Sequence, residues 1–292
     1  MDELAHQGLL AMEDGTPVAY RVEGKGPALV LTNGLTTTVS FWDHLLPHLR
    51  RHHRVLTWDL PGHGASGPAR SESSARIDGQ PHLLARLMDE VGMDRALQLG
   101  WSTGAQVVLE MTRHHARRCR GLVLLLGGAG RVLDTAALPL PGPVIDFIVR
   151  HAPRPVFAGA TRLLARVANL PGGQLLLRQL DLIGPDTSVA DAKRITEHLT
   201  RIDPHTVQTM VASAHAHSAW DLLPGLRMPV LIVAGDRDPF APSEAVGVPL
   251  HHAIAGSELL RLPRGTHTAL LDHAPVILRA LDEFEARHAL CD

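Results

Sequence analysis

The chain has 292 residues, 45% of them apolar and 20% charged, with 28 Lys and Arg against 30 Asp and Glu for a formal charge of −2. That much apolar surface can fill a large core, which excludes disorder as the dominant state, and a near-neutral chain lacks the electrostatic footprint of a nucleic-acid binder. Cys119 and Cys291 form neither a disulfide framework nor a zinc spacing. No run reaches the ~18 apolar residues of a membrane helix, and the acidic start MDELAHQGLL lacks the pattern of a signal peptide.

The pattern begins with a hairpin, Gly8 to Met12 and Pro17 to Val22 around the turn dipeptide Asp14-Gly15. Ala28 to Thr32 and Arg54 to Asp59 read as short strands. Apolar residues at 83, 84, 87, 88 and 91 put a helix over Gln80 to Val91. Strand Ala96 to Leu99, helix Ser102 to Arg118 and strand Gly121 to Leu126 follow. Strands alternating with helices predict a mostly parallel sheet covered on both faces. The alternation then stops. Segments 143–151, 159–169, 171–183, 188–201 and 204–217 have helical spacing, with Pro-rich pieces at Leu138 to Pro143 and Pro153 to Pro155. Asp203-Pro204 reads as an N-cap with proline in the first turn, and Ser188 with Asp191 as a capping pair. Strands Pro229 to Ala234 and Glu258 to Leu262 and a helix from Thr268 to Arg287 complete the chain. The expected organisation is therefore an α/β core of residues 1–130 and 221–292 with a helical cap, 131–220, inserted between its halves.

Gly100-Trp101-Ser102-Thr103-Gly104 matches G-x-S-x-G between a strand and a helix, the context that lifts a serine above a sheet on a sharp turn. The helix N-terminus beneath it favours developing negative charge. Taken alone, the pentapeptide also suits a tight turn in which Ser102 only caps the helix.

At this point the chain resembles the α/β-hydrolase family, specifically its serine-nucleophile members with a helical cap, from about residue 8 to 288. Thr57 to Ser66 (TWDLPGHGAS) looks like the family's D-x-x-G-x-G-x-S stretch. Asn33-Gly34-Leu35 sits where the family usually carries His-Gly-x, so Asn33 is a departure. Gly235-Asp236-Arg237-Asp238 looks like the loop that bears the acid, and Gly265-Thr266-His267 like the late G-x-H that bears the base. The order Ser102, Asp238, His267 is the family order.

Each role has a physical reason. A serine hydroxyl is a weak nucleophile at neutral pH and needs an adjacent base. Histidine suits that task because its pKa lies near the working pH, and a carboxylate fixes the imidazole tautomer. Among 19 histidines, His267 follows a strand end, where sites in open α/β sheets gather. His63 is the rival, but a structural hydrogen bond to its own loop backbone explains it better. Asp236 and Asp134 are alternatives to Asp238. The resemblance implies an oxyanion hole of two backbone N–H groups, those of Thr103 and Leu35. Gly34 and Trp101 are assigned to substrate binding, although a core role also suits Trp101. Phe41-Trp42 is expected to pack a helix on the sheet.

The reading is a serine hydrolase that cleaves a carboxylic ester of a small to medium apolar substrate through an acyl-enzyme. A thioesterase, an acyltransferase and a carbon–carbon bond hydrolase use the same triad and stay open. A non-catalytic receptor is the alternative of a different class. Ser102 argues against family members whose nucleophile is aspartate. Absence of H-E-x-x-H argues against a zinc hydrolase of that type. The expectations are no cofactor, no metal, no nucleic-acid or membrane partner, and a cytoplasmic location.

Overall fold

The computed structural model describes residues 6–137, 140–170 and 172–290, so Cys291 and parts of the expected Pro-rich piece and of the 171–183 segment lie outside the described residues. Eight strands form one sheet: β1 (His6–Ala11), β2 (Pro17–Glu23), β3 (Ala28–Thr32), β4 (Arg54–Trp58), β5 (Ala96–Trp101), β6 (Cys119–Leu125), β7 (Val230–Gly235) and β8 (Glu258–Leu262). Their order is β1-β2-β4-β3-β5-β6-β7-β8. β2 runs antiparallel to β1 and β4, and all other pairings are parallel. The helices are α1 (Leu46–His52), α2 (Glu72–Ala75), α3 (Gln80–Glu90), α4 (Thr103–His115), α5 (Gly142–His151), α6 (Arg154–Ala168), α7 (Gly173–Gln179), α8 (Val189–His198), α9 (Pro204–Ala216), α10 (Val248–Ala253), α11 (Ala269–Asp272) and α12 (Ala274–Arg287). This is the α/β class that the alternation predicts.

Side chains of the central strands alternate between two apolar layers. Leu29, Leu31, Leu97, Leu99, Val123, Leu125, Leu231 and Val233 join one layer with α1 and α12. Val30, Leu122, Leu124, Val230 and Ile232 join the other with α3, α4 and α10. A parallel sheet covered on both faces needs apolar residues at both parities, which is why these strands read as unbroken apolar runs.

Several boundaries differ from the sequence reading, and two short helices go beyond it. β5 continues through Gly100 to Trp101, two residues past its expected end. The expected C-terminal helix breaks at His273, with Pro275 in the first turn of α12, where a proline has no intrahelical donor to lose. The short helices α1 and α10 lack enough turns for their period to stand out.

Helices α5–α9 lie between β6 and β7. The described residues from 131 to 220 add no strand to the sheet; they make one isolated bridge, Gly130 with Ser218. α9 packs on α2, and α5 and α6 pack on α9. Several polar contacts fasten this layer to the core. Ser213 Oγ accepts from Ile77 N at 2.9 Å, and Gln106 Nε2 donates to Ala214 O at 2.9 Å. Arg194 of α8 bridges Asp43 and Asp191, both at 2.6 Å. Further along, Asp181 pairs with Arg237 at 2.8 Å, and Gly184 N donates to Thr268 Oγ1 at 2.9 Å.

Candidate active site

The six parallel strands end on one edge, and the loops leaving that edge carry Asn33 to Leu35, Asp59 to Ser66, Ser102, Asp236 to Asp238 and Gly265 to His267. Ser102 stands between β5 and α4 with φ 57° and ψ −122°, a region that side chains rarely adopt. The close packing around it explains the two glycines of the motif. A Cβ on Gly100 would lie 2.2 Å from Gly104 O, and one on Gly104 would lie 2.4 Å from Thr32 O. The backbone N of Ser102 donates to Leu125 O at 2.9 Å.

Three side chains from separate loops meet in a line. Ser102 Oγ lies 2.9 Å from His267 Nε2. His267 Nδ1 lies 2.8 and 3.0 Å from the two oxygens of Asp238. A carboxylate can only accept, so Nδ1 carries the proton and Nε2 is left to accept from the serine hydroxyl. Asp238 is buried, and its Oδ1 also accepts from Phe240 N at 2.8 Å and Ala241 N at 3.0 Å. These donors hold the carboxylate against the imidazole.

The rival residues are elsewhere. Asp236 is exposed and bonds Arg261 at 2.9 Å, with Ser243 on the same oxygen. Asp134 is exposed beside Arg131 at 3.4 Å. His63 is buried, donates from Nδ1 to Pro61 O at 2.9 Å and accepts Thr36 N on Nε2 at 3.0 Å. Burial pushes its pKa down to about 4, so it is a neutral brace.

His63 belongs to a frame around the loop after β3. Asn33 uses both ends of its buried amide, donating to Trp58 O at 3.0 Å and accepting Trp42 Nε1 at 2.5 Å. Trp42 therefore anchors this loop as well as packing the core. Asp59 accepts Val39 N at 3.0 Å and Ala65 N at 2.9 Å, while burial raises its carboxyl. Gly34 lies against the nucleophile: a Cβ there would come within 2.7 Å of both Ser102 Cβ and the Trp101 ring.

Thr103 opens α4, where backbone N–H groups have no intrahelical acceptor. Leu35 N donates to Thr103 Oγ1 at 2.9 Å, so this expected donor is engaged by a side chain. That hydroxyl is a participant the sequence reading did not single out.

Trp101 is 3% exposed and lies in the apolar layer with α1 and α12, so its ring is not an open pocket wall. It stacks on Phe41 at 4.4 Å, meets the His267 ring at 5.0 Å and donates Nε1 to His267 O at 3.2 Å. Phe240 meets His267 at 4.7 Å. Phe240 was missed, although its place just after Asp238-Pro239 was the available signal. Among the described residues no group of three or more His, Cys, Asp or Glu side chains is arranged to hold a metal ion.

A family model described as the alpha/beta hydrolase fold matches residues 27–274, and the chain belongs to that family of hydrolases. It is 23% identical, over 88% of its length and 93% of the relative's, to pimeloyl-acyl-carrier-protein methyl ester esterase of Vibrio vulnificus. It is 27% identical, over 94% of its length and 88% of the relative's, to the 2-hydroxy-6-oxononadienedioate/2-hydroxy-6-oxononatrienedioate hydrolase of Klebsiella pneumoniae. A solved hydrolase from Pseudomonas aeruginosa matches with TM-score 0.77 and 26% identity, covering 96% of this chain and 98% of that one.

Proposed function

We propose that the chain hydrolyses a carboxylic ester of a small to medium apolar substrate through an acyl-enzyme, with Ser102 as nucleophile, His267 as base and Asp238 as its orienting acid. The observation that carries this reading is the unbroken line from Ser102 Oγ through His267 to a buried, doubly N–H-bonded Asp238. As Ser102 Oγ bonds to the ester carbon, its proton passes to His267 Nε2, and Asp238 stabilises the imidazolium. The carbonyl oxygen gains negative charge and is met by the backbone N–H groups of Thr103 and Leu35, the latter exchanging its Thr103 Oγ1 partner for the substrate oxygen. The oxyanion collapses, the C–O bond breaks, and His267 protonates the departing alkoxide. Water, deprotonated by His267, then attacks the acyl carbon; the bond to Ser102 Oγ breaks, Oγ takes that proton back from His267, and the carboxylic acid leaves.

In this reading residues 131–220 act as the cap over a core of 1–130 and 221–292. Gly34 leaves room for the substrate carbonyl beside Ser102, and Trp101 supports His267 from behind. A neutral substrate fits better than a dianion such as the dioate in the Klebsiella relative's name. The arginines of the acid loop and of α8, Arg237 and Arg194, are already paired with Asp181 and with Asp43 and Asp191. The scarcity of cysteine, with Cys119 a buried free thiol, suits the cytoplasm.

The test combines a fluorophosphonate probe with chromogenic esters of graded acyl length, a matching thioester and a vinylogous diketone. The proposal expects labelling that Ser102→Ala abolishes, and turnover greatest on apolar acyl esters. Absence of labelling would point to a non-catalytic receptor. Faster turnover of the thioester or the diketone would move the reading to one of those reactions.

A further inference from the structure

Helix α6 faces the wrong way for a helix of a globular core. Its buried positions are Ala158, Ala165 and Ala168, whereas Val156, Leu163, Leu164 and Val167 are exposed. At 3.6 residues per turn the two sets fall on roughly opposite sides of the helix. The inner side packs small residues against α7, α8 and α9, and the large apolar side chains point away from the protein.

The helices before and after α6 in the chain also expose apolar side chains. α5 buries Val149 and exposes Val144, Phe147 and Ile148, spaced one helical turn apart. α7 exposes Leu175 and Leu176. Thirteen of the sixteen exposed large apolar side chains among the described residues lie between 140 and 189. An apolar concentration of this kind marks an interaction surface rather than ordinary scatter.

Charge selects the occupant. Residues 141–180 carry five arginines and one carboxylate, Asp146, in a chain whose formal charge is −2. Arg162 and Arg166 run along one border of the α6 stripe, both exposed and without an ion-pair partner among the described residues. Two copies of this face brought together would oppose like charges, which disfavours a self-interface. Exposed Leu, Val and Phe bordered by arginine is the composition with which an amphipathic surface helix enters the headgroup region of an anionic bilayer.

We propose that the exposed apolar side chains of α5, α6 and α7, led by the outer stripe of α6, dock this protein peripherally on membranes rich in anionic lipid. This departs from the expectation of no membrane partner, which rested on the absence of a spanning segment; no helix among the described residues is long and apolar enough to cross a bilayer. A peripheral face becomes visible only once burial shows which side of α6 is outside. The proposal does not depend on the ester-hydrolase reading.

The experiment is co-sedimentation of the whole chain with phosphatidylcholine vesicles, with and without phosphatidylglycerol, over a salt series. Binding is expected only with phosphatidylglycerol and should weaken as salt rises. R162Q/R166Q should weaken it about 30-fold, from the loss of two surface cations, and L163Q/L164Q should weaken it at least tenfold. Both variants alter exposed positions, so their melting temperatures should match the parent's. Failure of the parent to bind anionic vesicles would overturn the proposal, as would binding unchanged in both variants. A concentration-dependent dimer in velocity sedimentation that L163Q/L164Q dissolves, without vesicle binding, would assign the face to a second copy instead. Retention of an acidic protein by the parent, again without vesicle binding, would assign it to that partner.

Discussion

The backbone N–H of Leu35 donates to the side-chain hydroxyl of Thr103 across 2.9 Å, joining the loop after β3 to the first residue of α4. The two segments that flank Ser102 thus hold each other before any substrate arrives. Leu35→Pro removes the donor and should lower turnover of an activated ester ~10²–10³-fold while the chain stays folded by circular dichroism. Thr103→Val keeps its own backbone N–H and loses only the hydroxyl, so its loss should stay below about tenfold. Leu35→Ala should cost packing alone, and Asn33→Ala should fall between the extremes. A folded Leu35→Pro with near-parental turnover would place the second donor elsewhere.

The acid can be tested by contrast. Asp238→Asn should cost turnover ~10⁴-fold, the size of the effect in the serine-protease precedent. Asp236→Asn and Asp134→Asn should change it less than about tenfold, because both side chains face solvent and pair with arginines. Steady-state kinetics on the three purified variants checks the assignment.

Gly34 and Trp101 support different parts of the same site. Gly34→Ala drives a methyl into Ser102 Cβ and the Trp101 ring at 2.7 Å, so turnover should fall at least ~10²-fold with little change in melting temperature. Trp101→Phe keeps the stack on Phe41 but removes the bond to His267 O. It should lower kcat severalfold and leave KM nearly unchanged, a split that loss of a pocket wall would reverse.

His63 gives a pH prediction with a definite sign. Its folded pKa is lowered by burial from 6.5 to about 4, so the folded state favours the neutral ring. The stability this contributes is fully present above pH ~6.5 and is lost as pH falls toward about 4, up to ~3 kcal/mol. His53 acts in the opposite direction: its pKa is raised despite burial by the hydrogen bond to Glu285, so its contribution is present below pH ~6.5 and is lost as pH rises. Urea midpoints from pH 7 to 4.5 should fall less steeply in His63→Asn than in the parent. A parallel dependence in both would remove His63 as the cause.

The sheet was legible in the sequence because strands covered on both faces are short apolar runs separated by turn residues, and Asp14-Gly15 punctuates the first pair sharply. Ser102, Asp238 and His267 were legible because each stands in a local pattern at a strand end. The frame was not. Asn33 with Trp58 and Trp42, or Thr36 with His63, are pairs from different loops whose hydrogen bonds carry no local period. Thr103 looked like a backbone donor because its side chain finds a use only when the loop after β3 arrives. The outward stripe on α6 has the same 3.6-residue period as an inward one, so the pattern identified the helix without revealing which side it buries.

The segment between α7 and α8 is tied to the core by Asp181 with Arg237, by Gly184 with Thr268, and by Thr187 with Thr268 and Asp272. Arg237 is the residue before Asp238, and Thr268 is the residue after His267. Two of these fastenings therefore grip the same two loops that set Asp238 against His267. Movement of this segment away from the core would tug directly on that alignment, so in the proposed reading admission of a substrate and readiness for proton transfer would share one mechanical linkage. Substitutions on a flank far from Ser102 can then register as altered turnover without touching any reacting atom.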